Sequence, residues 1–123
     1  MRITSAELRV MDVLWETAPL GAAEVVAALK DSEWSDRTVK TLLARLTDKG
    51  ALAAEPEGRR YLYRPLIARE AHRKDAVSRL SERLFGGRAA PMVAHLADGQ
   101  GLSETDLDEL EALVRTLRGE QDR

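Results

Sequence analysis

Eight side chains between positions 35 and 60 have the types and spacing of a surface that grips a polyanion: Ser35, Arg37, Thr38, Lys40, Thr41, Arg45, Arg59 and Arg60. Val39, Leu42, Leu43 and Leu46 recur at i, i+3, i+4 and i+7, the stripe that a helix buries against a core. Arg37, Lys40, Thr41, Ala44 and Arg45 fall on the opposite side, which carries positive charge and short hydroxyls but no bulky apolar group. Lysine and arginine can neutralise phosphates or reach the acceptors of guanine. The threonines, about one turn apart, are short enough to meet a phosphate oxygen or a thymine methyl without holding a helix out of a groove. Spacing alone does not assign bases to some of these residues and phosphates to others. Arg59 and Arg60 lie in a turn, where arginine suits the minor groove or the flanking backbone. Any one of these charges is ordinary on a solvated helix face or turn. Their concentration on two consecutive elements points to contact with double-stranded DNA.

Those elements are legible in the surrounding sequence. Ser35 is placed to cap the helix, its hydroxyl accepting an orphan backbone N–H of the first turn. Gly50 stops it. Leu52 to Glu55 and Tyr61 to Leu66 read as strands joined by the turn Pro56-Glu57-Gly58-Arg59-Arg60. Tyr61 and Tyr63 alternate with Leu62, so they share one strand face, and both are expected to pack. Upstream, Thr4-Ser5-Ala6-Glu7 matches a capping box opening a helix with Leu8, Val10, Met11, Leu14 and Trp15 inward, ending near Ala18-Pro19. A second helix begins at Gly21 with Val25, Val26 and Leu29 inward, and a turn spans Asp31 to Trp34. Trp15 and Trp34 are expected in or near the core. Three helices followed by a hairpin is the order of a winged helix-turn-helix, occupying residues 1–68.

Residues 69–123 return to helical periodicity. Val77, Leu80 and Leu84 line one helix, which Gly86-Gly87 ends; Pro91 suits the first turn of a short helix carrying Met92, Val93 and Leu96. After the break Asp98-Gly99-Gln100-Gly101, Ser103 to Asp106 caps a last helix with Leu107, Leu110, Val114 and Leu117 on one face. Three short amphipathic helices cannot bury their stripes alone, and the winged unit is closed by its own residues, so these stripes are expected to pair two subunits. The fold class is mainly α with a small β-hairpin: an N-terminal winged helix-turn-helix DNA-binding domain and a C-terminal helical dimerisation region.

Length and composition set the outer bounds. A chain of 123 residues fits one domain, or a small domain with an appendage, and 44% apolar with 33% charged residues describes a globular protein. The net charge of −2 is mild evidence against DNA, but its distribution is not: Arg37 to Arg64 holds seven Lys/Arg against three Asp/Glu, whereas Asp98 to Arg123 holds three Arg against eight Asp/Glu. Local density decides phosphate binding. The absence of cysteine removes disulfides, thiolate chemistry and thiolate metal sites, and fits a cytoplasmic protein. No apolar run reaches the roughly 18–20 residues of a membrane span, and the N-terminus leads straight into a capped helix, so neither membrane insertion nor a leader is expected. His72 and His95 are far apart with no paired motif, so no metal or other cofactor is expected. There is no nucleophile–base spacing, glycine-rich phosphate loop or HExxH pair, which speaks against an enzyme.

The residues Ala6 to Trp15 (AELRVMDVLW), Ser35 to Leu46 (SDRTVKTLLARL), Lys49-Gly50 and Tyr61-Leu62-Tyr63, with Leu84-Phe85-Gly86-Gly87 downstream, resemble the penicillinase-repressor family of BlaI/MecI-type winged-helix repressors over nearly the whole chain. The resemblance implies a homodimer that binds a palindromic operator and represses transcription. In members controlled by a membrane sensor protease, the repressor is cut at an Asn-Phe bond within the dimerisation region. His95-Leu96 stands at that place here, a departure from the motif. Related copper-responsive repressors carry a cysteine-rich C-terminal metal site, for which this chain has no ligands. Two other readings stay open on the sequence: a winged-helix adaptor that docks a protein partner, and a repressor released by a small molecule.

Overall fold

The computed structural model describes residues 2–121; the expected outer limits at residues 1 and 123 lie outside them. The described residues form α1 (Ser5–Glu16), β1 (Leu20–Gly21), α2 (Ala22–Ala28), a 3-10 turn (Lys30–Ser32), α3 (Asp36–Asp48), β2 (Leu52–Glu57), β3 (Arg60–Pro65), α4 (Arg69–Phe85), α5 (Ala89–Gly99) and α6 (Glu104–Gln121). The chain divides into two compact units after Lys74, so the opening turns of α4 go with the first unit and the rest with the second.

In the first unit, α1 begins with the expected capping box. The Thr4 hydroxyl accepts the Glu7 N–H at 3.1 Å, and the Glu7 carboxylate accepts the Thr4 N–H at 2.9 Å. The helix ends at Glu16, short of Ala18-Pro19, where Thr17 turns extended. Its buried positions are Glu7, Val10, Met11 and Leu14. Leu8 is only half-buried, because the face that meets the core runs through positions 7, 10, 11 and 14. Val25 and Leu29 of the α2 segment, the four-residue stripe of α3, and Ala51 and Leu52 complete the core. Trp15 and Trp34 pack at its edge. Trp15 donates its indole N–H to the Ile67 carbonyl at 3.0 Å, and the Arg9 guanidinium lies 4.9 Å from the Trp34 ring centre.

The expected hairpin is present, with two differences. It belongs to a three-stranded antiparallel sheet in the order β1-β3-β2, whose two-residue β1 pairs Leu20 with Tyr63 and Gly21 with Leu62. Its strands are also more closely joined than expected: β2 and β3 pair from Leu52–Pro65 out to Glu57–Arg60, leaving only Gly58-Arg59 as the turn. Pro56, expected in the turn, stands instead within β2, where it is tolerated because β2 is an edge strand and proline need supply no ladder N–H on the open side. Gly58 takes φ +63° at the first of two loop positions, as a type II′ turn requires.

In the second unit, Ser103 and Asp106 exchange cap bonds at 3.0 and 3.2 Å, and the Gly87 N–H closes α4 on the Ser81 carbonyl at 3.0 Å. No residue from Ala53 to Gly119 is buried. Val77, Leu80 and Leu84 of α4 and Leu107, Val114 and Leu117 of α6 are exposed, and Leu110 is half-buried. Leu113, absent from the expected set, is 52% exposed. Its place between Leu110 and Leu117 at helical spacing was the available signal.

Candidate nucleic-acid interface

Helix α3 positions the first part of the interface. Ser35 caps it, its hydroxyl accepting the Thr38 N–H at 3.1 Å and lying 3.1 Å from the Thr38 hydroxyl. With Val39, Leu42, Leu43 and Leu46 in the core, the α3 residues Arg37, Thr38, Lys40, Thr41 and Arg45 are all exposed together with the cap Ser35. The threonines are less free than their exposure suggests. Thr41 donates its hydroxyl hydrogen to the Arg37 carbonyl at 2.9 Å, so it retains lone pairs and a methyl group but no donor for a phosphate.

The sheet positions the second part. Lys40 of α3 and Arg59, Arg60 and Tyr61 of the wing line one open groove of about 530 Å³, with Asp36, Tyr63 and the Gly21–Ala23 segment on its other sides. The outer helix face and the wing therefore meet in one basic depression, although Arg37, Thr41 and Arg45 do not line it. Tyr63 packs on the core, as expected, where β3 pairs with β1. Tyr61 does not: it is 56% exposed, because it lies two residues nearer the wing turn, outside the pairing with β1.

Ion pairing sorts the basic residues between 37 and 64. Arg64 pairs with Glu55 along the hairpin, Lys49 with Glu7, and Arg60 with Glu24 of α2, its Nη1 lying 2.7 Å from Oε1. Arg60 is thus a paired strand residue at the base of the turn, not a free charge at its tip. Among the described residues, Arg37, Lys40, Arg45 and Arg59 have no ion-pair partner. Within this stretch, the charge left available for an anion is gathered on α3 and the wing turn.

The Lys49–Glu7 pair braces the end of α3. Lys49 Nζ lies 2.5 Å from Glu7 Oε1 and donates to the Arg2 carbonyl at 2.8 Å. Glu7 was legible as a capping residue, but nothing local marks it as a buried carboxylate partnered 42 positions away. Its burial raises the carboxyl pKa most strongly. The Lys49 ammonium and the Thr4 N–H and hydroxyl together outweigh that, leaving it below its ordinary 4.5. A carboxyl lowered by folding stabilises the protein above its unfolded pKa, and the gain disappears as pH falls through the folded value. Glu7→Gln, which keeps an acceptor for the cap, should cost about 1.5–3 kcal/mol at pH 7. The cost should shrink below about pH 4. Urea midpoints of the two proteins at pH 7 and 3.5 measure it; an equal gap at both would remove the ion pair from the account.

The second unit carries an open apolar groove of about 370 Å³, lined by Val77, Ser78, Ser81, Glu82, Gly87, Ala89, Met92, Val93 and Leu96. His95 and Leu96 are exposed on α5; the His95 ring lies 5.0 Å from that of Phe85, with Nδ1 3.0 Å from the Pro91 carbonyl. His72 lies beside Trp15, ring centres 5.7 Å apart. Among the described residues no group of His, Asp or Glu is arranged to hold a metal, and no helix is long and apolar enough to cross a membrane.

Comparison with known proteins bears on this surface. The family described as penicillinase repressor matches residues 3–116. A penicillinase repressor of Bacillus licheniformis is 34% identical over 110 residues, spanning 89% of this chain and 86% of its own length. The solved DNA-binding domain of the repressor BlaI is 40% identical, with a TM-score of 0.51 over 55% of this chain and 84% of that one. The Bacillus licheniformis BlaI monomeric form in complex with the blaP half-operator is 39% identical, with a TM-score of 0.50 over 57% of this chain and 87% of that one.

Proposed function

Because the chain belongs to the penicillinase repressor family of winged-helix DNA-binding repressors, and is accordingly not an enzyme, we propose that it acts as a homodimer on a palindromic operator. Helix α3 enters the major groove and the wing holds the adjacent backbone. The observation that carries this reading is the gathering of unpaired basic side chains, Arg37, Lys40 and Arg45 on the outer face of α3 with Arg59 on the wing beside it. Lys40 and Arg59 flank one groove and are suited to successive phosphates. Arg37, Thr38, Thr41 and Arg45 face outward from α3, where base edges lie when a helix occupies the major groove. Ser35 and Thr38 close the first turn of α3, and Arg60 joins the backbone contacts.

Dimerisation is supported by the second unit, which buries no residue of its own while exposing Val77, Leu80, Leu84, Leu107, Val114 and Leu117. Two-fold symmetry then sets half-sites about 10 bp apart, centre to centre. A cytoplasmic setting follows from binding the operator. Repression ends through an upstream signal; the family resemblance implies cutting within the second unit by a membrane sensor protease, although His95-Leu96 departs from the Asn-Phe bond cut in members so controlled.

A salt-dependent fluorescence titration against the protein's own upstream promoter and a scrambled duplex of equal length tests the reading. Tight binding to the promoter with two chains per site, outcompeting the scramble about 10³-fold or more, is the expected result. Negligible binding to both at low salt would overturn it.

A further inference from the structure

The wing arginine Arg60 is not presented to solvent freely, and the way it is held suggests a function for an acidic residue on a neighbouring element. Its Nη1 lies 2.7 Å from Oε1 of Glu24, and both side chains are about half exposed. Glu24 is itself fixed: the same oxygen accepts the Gly21 N–H at 3.1 Å, closing the first turn of α2. Gly21 sits in β1 against β3, and a Cβ there would come within 3.2 Å of both Arg60 Nη1 and Glu24 Oε1. A glycine therefore leaves the room in which the two charges meet. Arg60 lines the groove that also holds Lys40 and Arg59, the basic groups suited to a DNA backbone, and Glu24 reaches it through the ion pair.

We infer that Glu24 is a determinant of DNA affinity, an internal anion that competes with a backbone phosphate for Arg60. The inference rests on the DNA-binding reading above. A phosphate approaching Arg60 must either displace a carboxylate held by a second bond or accept its negative charge alongside. In both cases one cation of the wing is already partly neutralised before DNA arrives. Because a phosphate contact is independent of sequence, the restraint acts on all DNA and keeps non-specific binding low.

The test is Glu24→Gln. Glutamine keeps the oxygen that accepts the Gly21 N–H, so the cap survives while the charge is removed. Binding of the full-length protein to a scrambled duplex should tighten at least about threefold at low salt, and the slope of log affinity against log salt should steepen by about 0.9 for each Arg60 released. In an Arg60→Gln background the same substitution should change affinity much less, which separates the pair from a general effect of net charge. Unchanged or weakened binding by Glu24→Gln, or an equal gain with and without Arg60, would overturn the inference while leaving DNA binding intact. Failure of the unsubstituted protein to bind either duplex would overturn both.

Discussion

Leu117→Asp should leave the protein monomeric in sedimentation at micromolar concentration and lower its operator affinity about a hundredfold or more. Leu117 is 48% exposed on α6, Leu84 is 59% exposed on α4, and the unit that carries them buries no side chain by itself. A leucine in that setting contributes little to the single chain and much to a partner that covers it; a fully buried one is worth about 1.5–3 kcal/mol. An aspartate in its place puts a charge in the seam twice over, once from each subunit. The loss of DNA affinity follows without any change in the winged unit. Each half-site then binds separately, and the second contact no longer benefits from the effective concentration supplied by the first. Leu84→Asp on α4 should act in the same direction. An intact dimer in both variants would move the subunit interface elsewhere on the chain.

The double substitution Lys40→Ala with Arg45→Ala should weaken operator binding by about 10²-fold or more near 0.1 M salt. Neither residue has an ion-pair partner among the described residues, and both are exposed on α3, so little stability is at stake and the thermal midpoint should barely move. In a homodimer each substitution removes two charges. If both residues meet phosphates, the salt slope should fall by about 0.9 per lost contact, and operator and scrambled DNA should weaken together. If Arg45 instead reads a guanine, Arg45→Ala alone should weaken the operator more than the scramble and relax discrimination at one base pair by about 1–3 kcal/mol. Unchanged affinity and slope would show that this face does not meet DNA.

The amino-acid sequence by itself determined the helices and the sidedness of α3. Both rest on interactions within a turn or two of chain: the cap bonds of Thr4, Ser35 and Ser103, and the 3.6-residue recurrence that sends Val39, Leu42, Leu43 and Leu46 to the core and Arg37, Lys40 and Arg45 to the surface. The family was legible for the same reason, since its motifs are contiguous. Tertiary structure decided which charges remain available. Whether Arg60 is free depends on Glu24, 36 positions earlier, and whether Glu7 is a surface cap or a buried anion depends on Lys49, 42 positions later. The third strand depends likewise on β1 returning to pair with β3, and Tyr61 is left exposed because that pairing stops at Leu62. A two-residue strand has no periodicity to read, and an ion pair leaves no mark on the residues beside it. Such contacts exist only once the core has closed and brought distant segments within a few ångströms.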